Sequence, residues 1–141
     1  MKYIKQTACL GMVCVVLAAC GGQDPKEAVR VLERRLAQIA GQANAAAPAE
    51  VDANTRLDGV KAGPGLRLTS SYTLLNPAAE GIDSTTFGTK LTPTVQEGSC
   101  KNPDLRPLID RGVVVVLEYR GTDGNPIGTV SINRDTCIAF K

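Results

Sequence analysis

The sequence predicts an α+β fold: an N-terminal helix, then two β-hairpins flanking a helical crossover. The expected sheet is antiparallel, of about four strands, with helices on one face. Three observations predict this. Val29, Leu32, Leu36 and Ile39 recur at helical spacing. Leu66, Leu68, Tyr72 and Leu74 alternate with Arg67, Thr69, Ser71 and Thr73 at the period of a strand with one wet face. Between that strand and the β-branched run Val113-Val114-Val115-Val116 lie two sets of helix-start signals.

Taken in order, the first helix opens at Asp24-Pro25-Lys26-Glu27. Asp24 is the expected N-cap, Pro25 the first helical residue, and Glu27 the partner that completes a capping box. Arg30, Glu33 and Arg34 fall largely off the apolar face, and Gly41 is the expected stop. The Ala-rich stretch Gln42–Glu50 reads as a helix fraying into a linker. Thr55–Val60 is the expected first strand, followed by the turn Gly63-Pro64-Gly65, which lacks the glycine count and following helix of a phosphate loop. Leu66–Leu75 is the clearest strand, closed by Asn76-Pro77.

A second helical region follows, capped by Asp83 or Ser84, with Phe87, Leu91 and Val95 at intervals of four. Pro93 falls inside that pattern and is expected to kink or divide it. Asn102-Pro103-Asp104 starts a short helix with Leu105, Leu108 and Ile109 inward and Gly112 as its stop. Val113–Tyr119 suggests a strand buried on nearly both faces. Gly121–Asn125 supplies a hairpin turn, and Ile127–Ile132 is the last strand. How the two hairpins join is open at this level; the second and third strands pairing at the centre is one arrangement.

The first 19 residues have the layout of a secretory signal peptide. Lys2 and Lys5 are followed by an apolar core from Ala8 to Ala19, too short to span about 30 Å of hydrocarbon. The segment ends in Leu17-Ala18-Ala19-Cys20, which resembles the lipobox of bacterial lipoproteins. The resemblance implies cleavage before Cys20 and acylation of its thiol and new amino group. Two acyl chains give stable attachment where one does not. Gly21 is not the Asp that signals inner-membrane retention in enterobacterial lipoproteins, so the expected address is the outer membrane, facing the periplasm. The expected organisation is residues 1–19 as leader, 20–23 as lipidated tether, 24–50 as helix and Ala-rich linker, and 51–141 as the α+β domain.

The chain has 16 basic and 14 acidic residues, and removing Lys2 and Lys5 leaves 14 of each. A neutral balance makes no case for nucleic acid. Tryptophan is absent and only two Phe and three Tyr occur, so the core must be aliphatic. Of five cysteines, Cys9 and Cys14 go with the leader and Cys20 takes lipid. Cys100 and Cys137 remain as an even pair in an oxidising compartment, and a disulfide between them is expected. It would close a loop of 38 residues, worth about 4 kcal/mol in the chain-entropy model.

Catalytic signals are few. The chain has no His, which removes the usual general base, the usual metal ligand and every Ser-His or Cys-His pair. No cofactor or metal is expected. Asp58, Asp83, Asp104, Asp110 and Asp135 show no spacing that singles out an acid/base pair. Asp123-Gly124-Asn125 lacks the remaining positions of a calcium loop. Arg67, Tyr72, Tyr119 and Arg120, with Arg56, are the candidates for a binding surface.

Several segments together resemble a group of small exported proteobacterial proteins that includes quorum-sensing-regulated virulence factors. They are Thr55-Arg56-Leu57-Asp58, Ala62-Gly63-Pro64-Gly65, Leu68–Thr73, and Cys100 with Pro103 and Leu105-Arg106-Pro107, then Tyr119-Arg120 with Asp123-Gly124 and the closing Cys137. The resemblance covers about residues 50–140 and implies an α+β domain with one disulfide. It carries no catalytic residue across, and the lipid anchor departs from it. The expected function is a non-enzymatic binding or accessory module on a lipid anchor, with an envelope protein as partner. The alternatives are a small periplasmic hydrolase or an inhibitor of one, and, by analogy, a virulence-associated envelope factor.

Overall fold

The computed structural model describes Gly22, residues 24–75 and residues 82–140. The leader, Cys20 and the Asn76-Pro77 turn lie outside these residues. Helix α1 (Pro25–Ala46) precedes three strands, β1 (Ala49–Asp52), β2 (Thr55–Ala62) and β3 (Arg67–Leu74). The crossover holds α2 (Ser84–Thr86), a π-helical turn (Phe87–Leu91), α3 (Thr92–Lys101) and α4 (Arg106–Asp110). The chain ends in β4 (Val114–Arg120), β5 (Pro126–Ile132) and α5 (Arg134–Ile138). No described helix is long and apolar enough to cross a membrane.

The fold class is α+β, as the sequence predicts, but the sheet has five strands in the order β1-β2-β3-β4-β5 and is mixed. β3 and β4 are parallel neighbours, with Arg67 through Thr73 opposite Val114 through Arg120; every other pair is antiparallel. The wholly antiparallel expectation fails because the crossover helices return the chain to the end of the sheet where β3 began. A long helical connection of this kind is what parallel neighbours require.

The stretch expected as a linker is structured. α1 runs past Gly41 to Ala46, and residues 49–52 form the extra strand. The Asn44 side chain explains the extension: Nδ2 donates to Val60 O, and Val60 N donates to Oδ1, each at 2.8 Å. β1 pairs only with β2 residues 55–57. Beyond its reach, Asn44 satisfies the two edge groups of Val60 that a neighbouring strand would otherwise take. This tertiary anchor outweighs the roughly 1 kcal/mol that a helical glycine costs. At the other end, Asp24 caps Lys26 N at 2.9 Å, but Glu27 does not close a capping box; it pairs with Arg34 at 3.3 Å. Residues 24–31 are exposed all round, Val29 included at 41%, so the buried stripe is Leu32, Leu36 and Ala40.

All helices that touch the core lie on one face of the sheet. There Ala62, Leu68, Val115 and Ile132 form one row across β2 to β5, and Val60, Ser70, Leu117 and Val130 form the next. The three α1 residues, Phe87, Cys100, Leu108, Ile109, Val113 and Cys137 complete this core. The two Sγ atoms are bonded, joining α3 to α5. The opposite face carries Lys61, Thr69, Ser71, Thr73, Glu118, Thr129 and Ser131, so β4 is not wholly buried: Glu118 is exposed.

A β-bulge between Leu57 and Gly59 sets this division on β2. Leu57 and Val60 are three residues apart, the wrong parity for one face of a regular strand. The extra residue returns Val60 and Ala62 to the helix-bearing side while leaving Asp58 on the other.

Candidate functional site

The register brings Leu57, Tyr72, Tyr119 and Gly128 into one row on the helix-bearing face. Tyr72 and Tyr119 stack with ring centroids 5.3 Å apart and planes 18° apart. Phe87 leans on Tyr119 from the other side, also at 5.3 Å, tilted by 53°. Two features bring Phe87 there. Gly128 leaves the sheet surface bare, and a Cβ at that position would sit 2.2 Å from the Phe87 ring. The helical region runs unbroken past Pro93, and a π turn just before it, with Thr92 N donating to Phe87 O, offsets the helix instead of dividing it.

This aromatic row floors a groove of about 310 Å³. Val51, Asp52 and Thr55 form one wall, from the edge strand β1 and the start of β2; Leu91 and Val95 form the other. Val51 is 53% exposed, so the groove carries an apolar lip on the edge strand. Burial raises the pKa of the Tyr72 hydroxyl, against a hydrogen bond with Ser70 that lowers it. Burial, with the neighbouring Tyr72 and Asp52, pushes Tyr119 up to about 12. Both phenols therefore stay neutral near pH 7, and they offer apolar ring surface and hydrogen bonds rather than a base. Asp52 sets a negative charge at the rim. The arrangement suits binding an apolar segment.

The sequence candidates thus separate. Tyr72 and Tyr119 meet in the groove. Arg120 and Arg56 lie on the opposite face, in register with Thr73 between them. Arg67 shares that open face but lies six residues back along β3, roughly 20 Å away at strand rise. In the sequence Phe87, Leu91 and Val95 carry only a helical-face signal and Val51 carries none, while Gly128, an isolated glycine in a strand, is the cue for a close approach.

The five carboxylates do not converge. Asp58 binds Arg56 and Thr73, and Asp110 binds Arg106. Asp83 caps α2, where hydrogen bonds from Thr86 hold its carboxyl below the usual range. Asp104 is exposed in the turn that Asn102 caps, and Asp135 lies in the first turn of α5. Among the described residues no group of three or more His, Cys, Asp or Glu could hold a metal.

No protein-family model and no curated protein sequence matches the chain. Solved structures share its fold. One, described as a candidate secreted protein of Pseudomonas aeruginosa, has a TM-score of 0.66 at 17% identity, covering 77% of this chain and 95% of that one. The pilotin EpsS of the Vibrio vulnificus type 2 secretion system has a TM-score of 0.66 at 20% identity, over 79% and 96% of the two chains. The Vibrio cholerae type II secretion pilotin AspS has a TM-score of 0.58 at 19% identity, over 79% and 97%. At these identities the likeness establishes the fold alone, an N-terminal helix with a five-stranded mixed sheet and further helices.

Proposed function

We propose that this protein is a non-enzymatic accessory module of the bacterial envelope, anchored by lipid on Cys20 and facing the periplasm from the outer membrane. It binds an apolar segment of a protein partner in the Tyr72–Tyr119–Phe87 groove. The observation that carries this reading is the groove itself, an aromatic floor open beside a short edge strand. Such a surface accepts either an extended segment added to β1 or one face of a helix. The exposed first two turns of α1, about 10 Å long at helical rise, serve as a spacer between anchor and domain. Fold likeness to two secretion-system pilotins supports a role beside an envelope secretion apparatus.

The test places a photoreactive residue at Leu91 of the full chain in cells, with Arg67 as the control position. A discrete adduct from Leu91, absent from Arg67 and lost in Tyr119→Ala, is expected. No adduct from Leu91, or the same adducts from both positions, rejects the groove as the binding surface. The anchor has its own readout. Cys20→Ala should leave an unprocessed precursor without incorporated fatty acid, and normal maturation of that variant rejects lipidation.

A further inference from the structure

A second concave site lies on the open face and is independent of the groove. Arg56, Thr73 and Arg120 stand in one row across β2, β3 and β4. The β2 bulge turns Asp58 toward this row. Its Oδ1 accepts from Arg56 Nε at 2.8 Å, and its Oδ2 accepts from Thr73 Oγ1 at 2.6 Å. Both carboxylate oxygens are therefore engaged, and Thr73, only 4% exposed, spends its proton on them. Arg56 also reaches Thr73 Oγ1 through Nη2 at 3.4 Å, which fixes the guanidinium against the sheet. The Arg120 side chain makes no hydrogen bond or ion pair with any described residue, although its charge acts on Asp58. Two guanidinium groups thus face one carboxylate, each of whose oxygens already accepts a hydrogen bond.

Between the two arginines lies a depression of about 330 Å³, lined by Arg56, Asp58, Thr73, Arg120, Thr122 and Gly124. Gly124 has φ +80° in the β4–β5 turn, so no side chain fills that end. We propose that this depression is an oxyanion-binding site that takes a carboxylate or phosphate group between Arg56 and Arg120. The two Cα atoms are two strand spacings apart, about 10 Å, which a pair of arginine side chains closes onto a single anion. The guanidinium fork matches either oxyanion through paired N–H donors. Arg56 is already held in place by Asp58, and Arg120 supplies a guanidinium whose N–H donors are not engaged by a described residue. The volume is at the low end for ligand pockets, about 300–1,000 Å³, so it fits a small anion or the charged end of a larger molecule.

The test titrates the full chain in detergent with inorganic phosphate and, separately, with acetate at constant ionic strength, following the arginine Nε–H resonances. Saturable shifts at Arg56 and Arg120 are expected. Arg120→Gln should weaken the binding at least tenfold with its melting temperature unchanged. Arg67→Gln removes the same charge from the same face and should leave binding unaltered. The arm that saturates at lower concentration identifies the preferred oxyanion. Shifts that grow without saturating, or equal losses in Arg120→Gln and Arg67→Gln, overturn the site and reduce it to a diffuse positive field.

Discussion

The two faces of the sheet come from alternate residues of the same strands, yet they are held together by different physics. On the helix-bearing face, rows such as Ala62–Leu68–Val115–Ile132 bury apolar surface beneath α1 and the crossover helices. On the open face, the row through Arg56, Thr73 and Arg120 relies on one hydrogen-bonded ion pair. Burial scales with area removed from water, whereas a half-exposed ion pair is weakened by solvent. Stability should therefore reside on one face, while the charged chemistry is displayed on the other. Both candidate sites lie where this division is locally interrupted. The groove is a gap in the helical cover, and the Arg56–Arg120 depression is a place where charge is held rigid on the open side.

The largest test of this division is the disulfide behind the covered face. Replacing Cys100 and Cys137 together by Ala should lower unfolding free energy by about 4 kcal/mol, seen as a reduced denaturant midpoint. A loss under 1 kcal/mol would mean that the helical layer stays docked without the bond. Next, Ile132 and Ser131 are chain neighbours on opposite faces. Ile132→Ala should cost about 3 kcal/mol, and Ser131→Ala should stay within about 0.5 kcal/mol; similar costs would break the comparison.

Gly128→Ala comes third. Its new methyl meets the Phe87 ring, so a loss of about 2 kcal/mol is expected together with a shift of the Phe87 and Tyr119 ring resonances. An unchanged aromatic spectrum would contradict the stacked floor.

The smallest effect belongs to the open face. Thr73→Val removes a donor to Asp58 and should cost about 1 kcal/mol at neutral pH. The acid limb provides its signature. Burial raises the Asp58 pKa, but hydrogen bonds from Thr73 and Arg56 and the charges of Arg56 and Arg120 outweigh it and hold the carboxyl below its ordinary value. A depressed folded-state pKa contributes stability above the unfolded value near 4, and that stability is lost as pH falls through the folded one. Thr73→Val should therefore flatten the loss of stability below about pH 4 relative to the parent. An unaltered acid limb would show that Asp58 owes its shift to the arginines alone.

Much of this fold is legible locally. Asp83 and Gly124 do what their residue types announce, as cap and turn, whereas Asn102 caps the turn at 103–105 and α4 itself starts at Arg106 without a side-chain cap. The β3 alternation reports its two faces directly, because a strand's side-chain period is two and one side is buried. Of the groove, the two tyrosines were legible as candidates, but not their partnership with each other. That depends on the parallel register of β3 with β4, which local pattern does not encode. The open-face site was half legible: Arg56 and Arg120 were visible, whereas Asp58 joins them only through the bulge.

By itself, then, the sequence determines the first helix, the crossover helices, four of the five strands, the apolar stripes, the absence of histidine chemistry and the pairing partners left to two cysteines. These follow from short-range sterics, periodicity and composition. The tertiary structure alone decides that residues 49–52 become an edge strand, that α1 outlasts Gly41, and that β3 and β4 run parallel. The helix extension and the parallel pairing rest on contacts distant in sequence, Asn44 with Val60 and β3 with β4, while the edge strand pairs with its hairpin neighbour β2 on the sheet that those contacts assemble. A hydrogen bond or stacked ring between distant segments forms only after the chain has closed the loop between them, and loop closure depends on the whole fold rather than on any window of residues.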